Sequence, residues 1–142
     1  MKYRAGYKNQ LVEDEITVIS FYPSIDIHTH FIDFVKSPDI IDSPVGILTI
    51  RADYAWDGPS GPTIDTENFI TPSLIHDALY QLMREGHLDP IEYKEPADKL
   101  LVKMCKDRGM NPIRRWWTYR GVFRFGGGST VPGGGKPVIT VP

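Results

Sequence analysis

The sequence predicts an α+β fold: a small antiparallel β-sheet, then a helical pair, a third helix and an extended Gly/Pro-rich tail. Three observations predict it. β-branched and aromatic runs broken by turn residues fill the first seventy positions. Apolar residues then recur at helical spacing between Leu74 and Cys105. Finally, six glycines and three prolines crowd residues 126–142, which leaves the tail unable to build a core. The expected organisation is a single α+β domain over 1–125 and a tail over 126–142.

The elements follow in order. Ile16–Tyr22 is β-branched and aromatic, and Pro23 ends it. Residues 24–35 alternate well enough for a second strand. Ser37–Pro44 carries two prolines and reads as a loop, and Val45–Ile50 is a third strand. Trp56-Asp57-Gly58-Pro59-Ser60-Gly61-Pro62 excludes regular structure and asks for a shaped turn. Thr71-Pro72-Ser73 suits a helix start, and Leu74, Ile75, Ala78, Leu79, Leu82 and Met83 form a stripe ending at Gly86. Pro96 and Asp98 open a second helix lined by Leu100, Leu101, Met104 and Cys105, which Gly109 closes. Asn111-Pro112 starts a third, Arg-rich segment.

Composition narrows the function classes. The chain has 142 residues, of which 41% are hydrophobic and 24% charged, so it is expected to bury a core of its own. No apolar run approaches the roughly 18 residues of a membrane span, and no charged-then-apolar leader opens the chain. One cysteine, Cys105, excludes an internal disulfide and favours a reducing compartment. The net charge of -2 conceals a division: residues 1–98 carry seven Lys or Arg against seventeen Asp or Glu, and residues 99–142 carry nine against one. Such halves either attract each other or turn the basic one towards an anionic surface.

Three constellations bear chemistry. Asp26, His28 and His30 alternate along a predicted strand and would share a face, a metal-ligand spacing. With only His76 and His87 left in the chain to join them, an ordinary strand with a wet outer face is the expectation. The second constellation is His76-Asp77-x-x-Tyr80 with Asp98. On a helix His76 and Tyr80 share a face, and Asp77 lies about a hundred degrees round. Asp98 on the neighbouring helix can then hold one imidazole nitrogen, leaving the other to take a proton from water. Asp77 would point towards the Trp56–Pro62 loop, whose carbonyls with it suit a hard cation such as Ca2+. The third is Arg114-Arg115-Trp116-Trp117. It fits a subunit interface or an anionic membrane surface, while core packing of a tryptophan is the plainer alternative; nucleic acid is the less expected partner.

At these residues the chain resembles known families. Trp56–Gly61, His76-Asp77-Ala78-Leu79-Tyr80 and Ala97-Asp98 resemble phospholipase A(2), above all the disulfide-free type of parvovirus capsid proteins. That resemblance implies His76 as general base, Asp98 as its orienting partner, and Tyr80 bonded to Asp98. It also implies Asp77 as a calcium carboxylate, with Gly58 and Gly61 marking the calcium loop. More closely, Tyr54–Gly128 resembles the domain-of-unknown-function family 1353 of tailed phages and prophages, through the same helix, the Ala-Asp helix and Phe125-Gly126-Gly127. This implies a phage-encoded protein, in the host cytoplasm during assembly and then in the virion. Its partners would be other virion proteins or a second copy reached through the tail. The function expected is a virion-associated structural protein keeping a phospholipase-like site, or an active calcium-dependent acyl-ester hydrolase. Ser60 between Pro59 and Gly61 departs from the phospholipase loop pattern.

Overall fold

Period-two alternation builds the first half of the molecule. In the computed structural model, which describes residues 3–4, 9–37, 44–56, 67–116 and 118, the chain divides into two compact units, Met1–Pro62 and Thr63–Pro142. Two antiparallel sheets and then helices give the α+β class that the sequence predicts.

The first unit holds both sheets. β1 (Tyr3–Arg4), β2 (Asn9–Leu11) and β7 (Ala55–Trp56) form a short three-stranded sheet in that order. β3 (Glu15–Ile19), β4 (Ile27–His28), β5 (Ile32–Lys36) and β6 (Gly46–Ile50) form the larger one, ordered β3-β6-β5-β4. Its register sets Ile32 opposite Ile50, Phe34 opposite Leu48, and Ile27 opposite Phe34. These side chains are buried, whereas Ile16 and Val18 on the other face of β3 are exposed.

The continuous strand expected over 24–35 is instead two strands with a turn between them. Thr29 makes the turn: its hydroxyl accepts from the Ile32 amide at 2.9 Å and donates to the Ile32 carbonyl at 2.8 Å. A threonine bonding the backbone three residues on in this way competes with the ladder, and alternation alone does not register it. The two-residue strands β1 and β7 carry too few residues for a periodic signal.

The second unit is helical. α1 spans Glu67–Arg84 and α2 spans Pro90–Asp107, and the two pack against each other. Both begin earlier than the sequence suggests. α2 starts at Pro90, where Asp89 caps the helix by accepting from the Ile91 amide at 3.0 Å. Pro72 and Pro96 therefore lie inside helices rather than at their starts. Asp98 is consequently in the third turn of α2 rather than the first. It is held by side chains and not by a helix N-terminus.

Both helices end in the same way. Gly86 and Gly109 adopt φ of +81° and +88°, a conformation that costs glycine nothing. After α1, the amides of Gly86 and His87 bond the carbonyls of Met83 and Leu82. After α2, those of Gly109 and Met110 bond Lys106 and Cys105, the double closure of a Schellman cap. Met110 then packs in a buried cluster with Phe69, Leu101 and Cys105. Asn111 caps a third helical segment, residues 112–116, by accepting from the Arg114 amide at 2.9 Å. No helix among the described residues is long and apolar enough to cross a membrane. The loop expected over 37–44 lies for the most part, and the C-terminal tail wholly, outside the described residues.

Candidate functional site

Helical spacing assembles the site from two neighbouring helices. His76 and Tyr80 stand one turn apart on α1, with ring centroids 4.0 Å apart. Asp98 reaches them from α2 and is fully buried. Its Oδ1 lies 2.8 Å from His76 Nε2 and accepts the Tyr80 hydroxyl at 2.5 Å. Its Oδ2 accepts from Lys94 Nζ at 2.7 Å, one turn earlier on the same helix. His76 itself is only 6% exposed. Its other nitrogen, Nδ1, faces Asp77 Oδ1 at 3.9 Å, beyond a direct hydrogen bond. Asp77 is the outermost member, with its side chain 37% exposed.

The charges follow from this geometry. Burial works against the Asp98 carboxylate, but the bonds from His76, Lys94 and Tyr80 outweigh it and hold the group below the usual carboxylate range. Asp98 is therefore ionised at neutral pH and can only accept. His76 Nε2 must then donate, which leaves the lone pair of the neutral imidazole on Nδ1. Burial likewise works against the His76 cation, and the Asp77 and Asp98 carboxylates more than offset it, so the histidine binds its proton more tightly than usual. Burial and the adjacent Asp98 push the Tyr80 hydroxyl far above its ordinary value, so Tyr80 stays a donor.

His76, Asp98 and Tyr80 thus come together as the sequence suggests, with Asp77 beside them. Lys94 is the member that sequence reasoning missed. The available signal was its spacing of four from Asp98, one of several such opposite-charge pairs on α2, Glu95 with Lys99 among them.

A calcium ion needs several hard oxygens converging on one point. Both oxygens of Asp98 are committed, one of them to an ammonium, so among the described residues of the site Asp77 is the carboxylate that could turn to a cation. No group of three or more His, Cys, Asp or Glu side chains able to hold a metal occurs among the described residues. Those residues do not make a calcium site by themselves; Gly58 and Gly61 lie outside them.

The other candidates have contacts of their own. His28 faces Asp33, its Nδ1 3.3 Å from the carboxylate, and is 67% exposed. His30 lies in the turn, edge-on to Phe31, and Asp26 accepts the Lys36 amide at 3.1 Å. The three do not share a face as an unbroken strand would have them, because the turn at Thr29 separates His28 from His30. Arg114 and Arg115 are half-buried on the third helical segment, and Trp116 is 52% exposed; Trp117 is outside the described residues. Comparison with protein-family models, with curated proteins and with solved structures finds no match to this chain, so its function rests on the chemistry of the site itself.

Proposed function

We propose that the chain is a phage-encoded protein whose His76 activates water for hydrolysis of an acyl ester. One observation carries the reading: a buried, ionised Asp98 holds Nε2 and so directs the basic nitrogen, Nδ1, to the side where Asp77 meets solvent. A water at Nδ1 gives up a proton to it while its oxygen adds to the ester carbonyl. The imidazolium formed is stabilised by Asp98, and the proton passes to the leaving alkoxide as the tetrahedral species collapses. A positioned base of this kind contributes about 10²–10⁴-fold. The resemblance to phospholipase A(2) supports a lipid ester as substrate, and a basic C-terminal half suits an anionic bilayer.

The second reading is a virion-associated or assembly protein in which the same cluster only locks the helical pair. The near-complete burial of His76 and Asp98 favours it. The resemblance to the phage family, which brings no activity with it, supports it too, with other virion proteins or a second copy as partners.

One experiment separates them: acyl release from mixed anionic vesicles, with calcium and with chelator, for wild type and His76→Ala. Release falling at least about 10²-fold in the variant is expected. Absence of release from wild type under both conditions, with the variant merely less stable, overturns the first reading in favour of the second.

A further inference from the structure

The three donors to Asp98 are not equivalent. His76 and Tyr80, on successive turns of α1, both use Oδ1. Among the described residues, Oδ2 is held by Lys94. The terminal torsion of an aspartate is broad and two-fold, so bonds to one oxygen leave the plane of the carboxylate loosely defined. A bond to the second oxygen, from a different direction, fixes it.

Helix-surface electrostatics does not account for this lysine. Lys94 precedes Asp98 by four residues, and a cation placed first is the weaker order on an isolated helix. The favourable order occurs next to it, in Glu95 with Lys99 at the same 2.7 Å, but there the two side chains are 63% and 58% exposed for Lys99 and Glu95. The Lys94 side chain is only 20% exposed and its partner is wholly buried. The stem of Lys94 is drawn inward to meet a carboxylate that water does not reach.

Charge explains what that contact does. Among the described residues, Asp98 is met by His76 and Tyr80 from α1 and Lys94 from α2, and Asp77 faces His76 from the far side. When His76 is neutral, Lys94 supplies the cationic contact to this carboxylate. A fully buried carboxylate without a cation takes up a proton. A protonated Asp98 can donate through Oδ1, and His76 Nε2 would then accept. The imidazole proton would move to Nδ1, the nitrogen that must be free.

We propose that Lys94 is a positioning residue of the His76 site: by holding Asp98 Oδ2 it keeps Oδ1 an acceptor, and thereby fixes His76 as the Nε2–H tautomer with its lone pair on Nδ1. The use of that lone pair rests on the function proposed above, but the tautomer itself does not.

The test reads the tautomer directly, by ¹⁵N and ¹H spectra of the imidazoles in the full-length chain, with His76→Ala assigning the signals. Spectra are taken at a pH above that at which His76 releases its proton. Wild type is expected to show Nε2–H with a slowly exchanging proton. Lys94→Met is expected to give mixed tautomers, with the Nε2 proton exchanging about tenfold faster, the factor that goes with losing one ordinary hydrogen bond. Lys94→Arg, which keeps the charge, is expected to restore the wild-type spectrum. Should Lys94→Met not fold, Lys94→Gln is read in the same way. Unchanged tautomer and exchange in the uncharged variant overturn the proposal. Because no substrate is involved, failure of ester release leaves this result standing. Release with unchanged spectra removes Lys94 alone.

Discussion

Each unit sets a histidine close against an aspartate, His28 with Asp33 in the first and His76 with Asp98 in the second, and the two pairs differ in what surrounds them. In the sheet, His28 stands 3.3 Å from Asp33, is 67% exposed, and shares the carboxylate with Arg51, which also bonds the carbonyls of Thr29 and His30. In the helical pair, His76 stands 2.8 Å from Asp98 at 7% and 0% side-chain exposure, and tyrosine and lysine complete the set. The same two side-chain types thus make a contact in one place whose histidine stands in solvent beside a 19% exposed aspartate, and an enclosed, oriented, charge-balanced cluster in the other. Pairing alone is not a site. Burial makes the pair directional, and the cation makes the burial tolerable.

The largest test of that contrast is Asp98→Ala against Asp33→Ala. Removing Asp98 strands a lysine, a histidine and a tyrosine in the interior, so a loss of about 3–5 kcal/mol in urea unfolding is expected. Asp33→Ala, with Arg51 40% exposed and able to turn to water, is expected to cost about 1 kcal/mol or less. Equal losses would break the comparison. Next comes His76→Ala, expected to cost about 1–3 kcal/mol through unpaired buried partners, whereas His28→Ala should stay within about 0.5 kcal/mol.

Acidity sharpens the contrast further. His76 binds its proton more tightly folded than at its ordinary value of 6.5, so its contribution is full below that value and is lost as pH rises through the folded one. Asp98 is shifted the other way. Its contribution is present above its ordinary 3.8 and is lost as pH falls through the lower folded value. The stability gap between wild type and His76→Ala should therefore be wider at mildly acidic pH than at alkaline pH, measured by chemical denaturation across the range. A gap that widens with rising pH would contradict the assignment. The smallest effect is expected at Lys99→Ala, where a solvated pair with Glu95 contributes about 0.5 kcal/mol or less.

Much of this was legible in the sequence, for reasons that also explain the gaps. The stripe from Leu74 to Met83 and the HDxxY spacing exposed α1 and the face shared by His76 and Tyr80, since helical period is a long-range signal. The run Val45–Ile50, read as a strand, is β6 over Gly46–Ile50. Thr29 hid the β4–β5 turn, because a side chain bonding the nearby Ile32 backbone leaves the apolar pattern almost undisturbed. Pro72 and Pro96 disguised the helix starts by sitting where a break is usual. Lys94 stayed hidden because its spacing from Asp98 is one that any solvated helix shows; the burial of the pair, which spacing does not report, distinguishes it.

Cys105 has a consequence of another kind. It is the chain's one thiol, wholly enclosed beside Phe69, Leu101 and Met110, and burial pushes it up to about 12 against the opposing pull of Arg108, Arg114 and Arg115. A shielded, protonated sulfur is inert to alkylating reagents until the packing around it parts. The rate at which such a reagent reacts under native conditions therefore clocks how often the end of α2 opens. The protein carries its own stopwatch for that motion, with no label added and no residue changed.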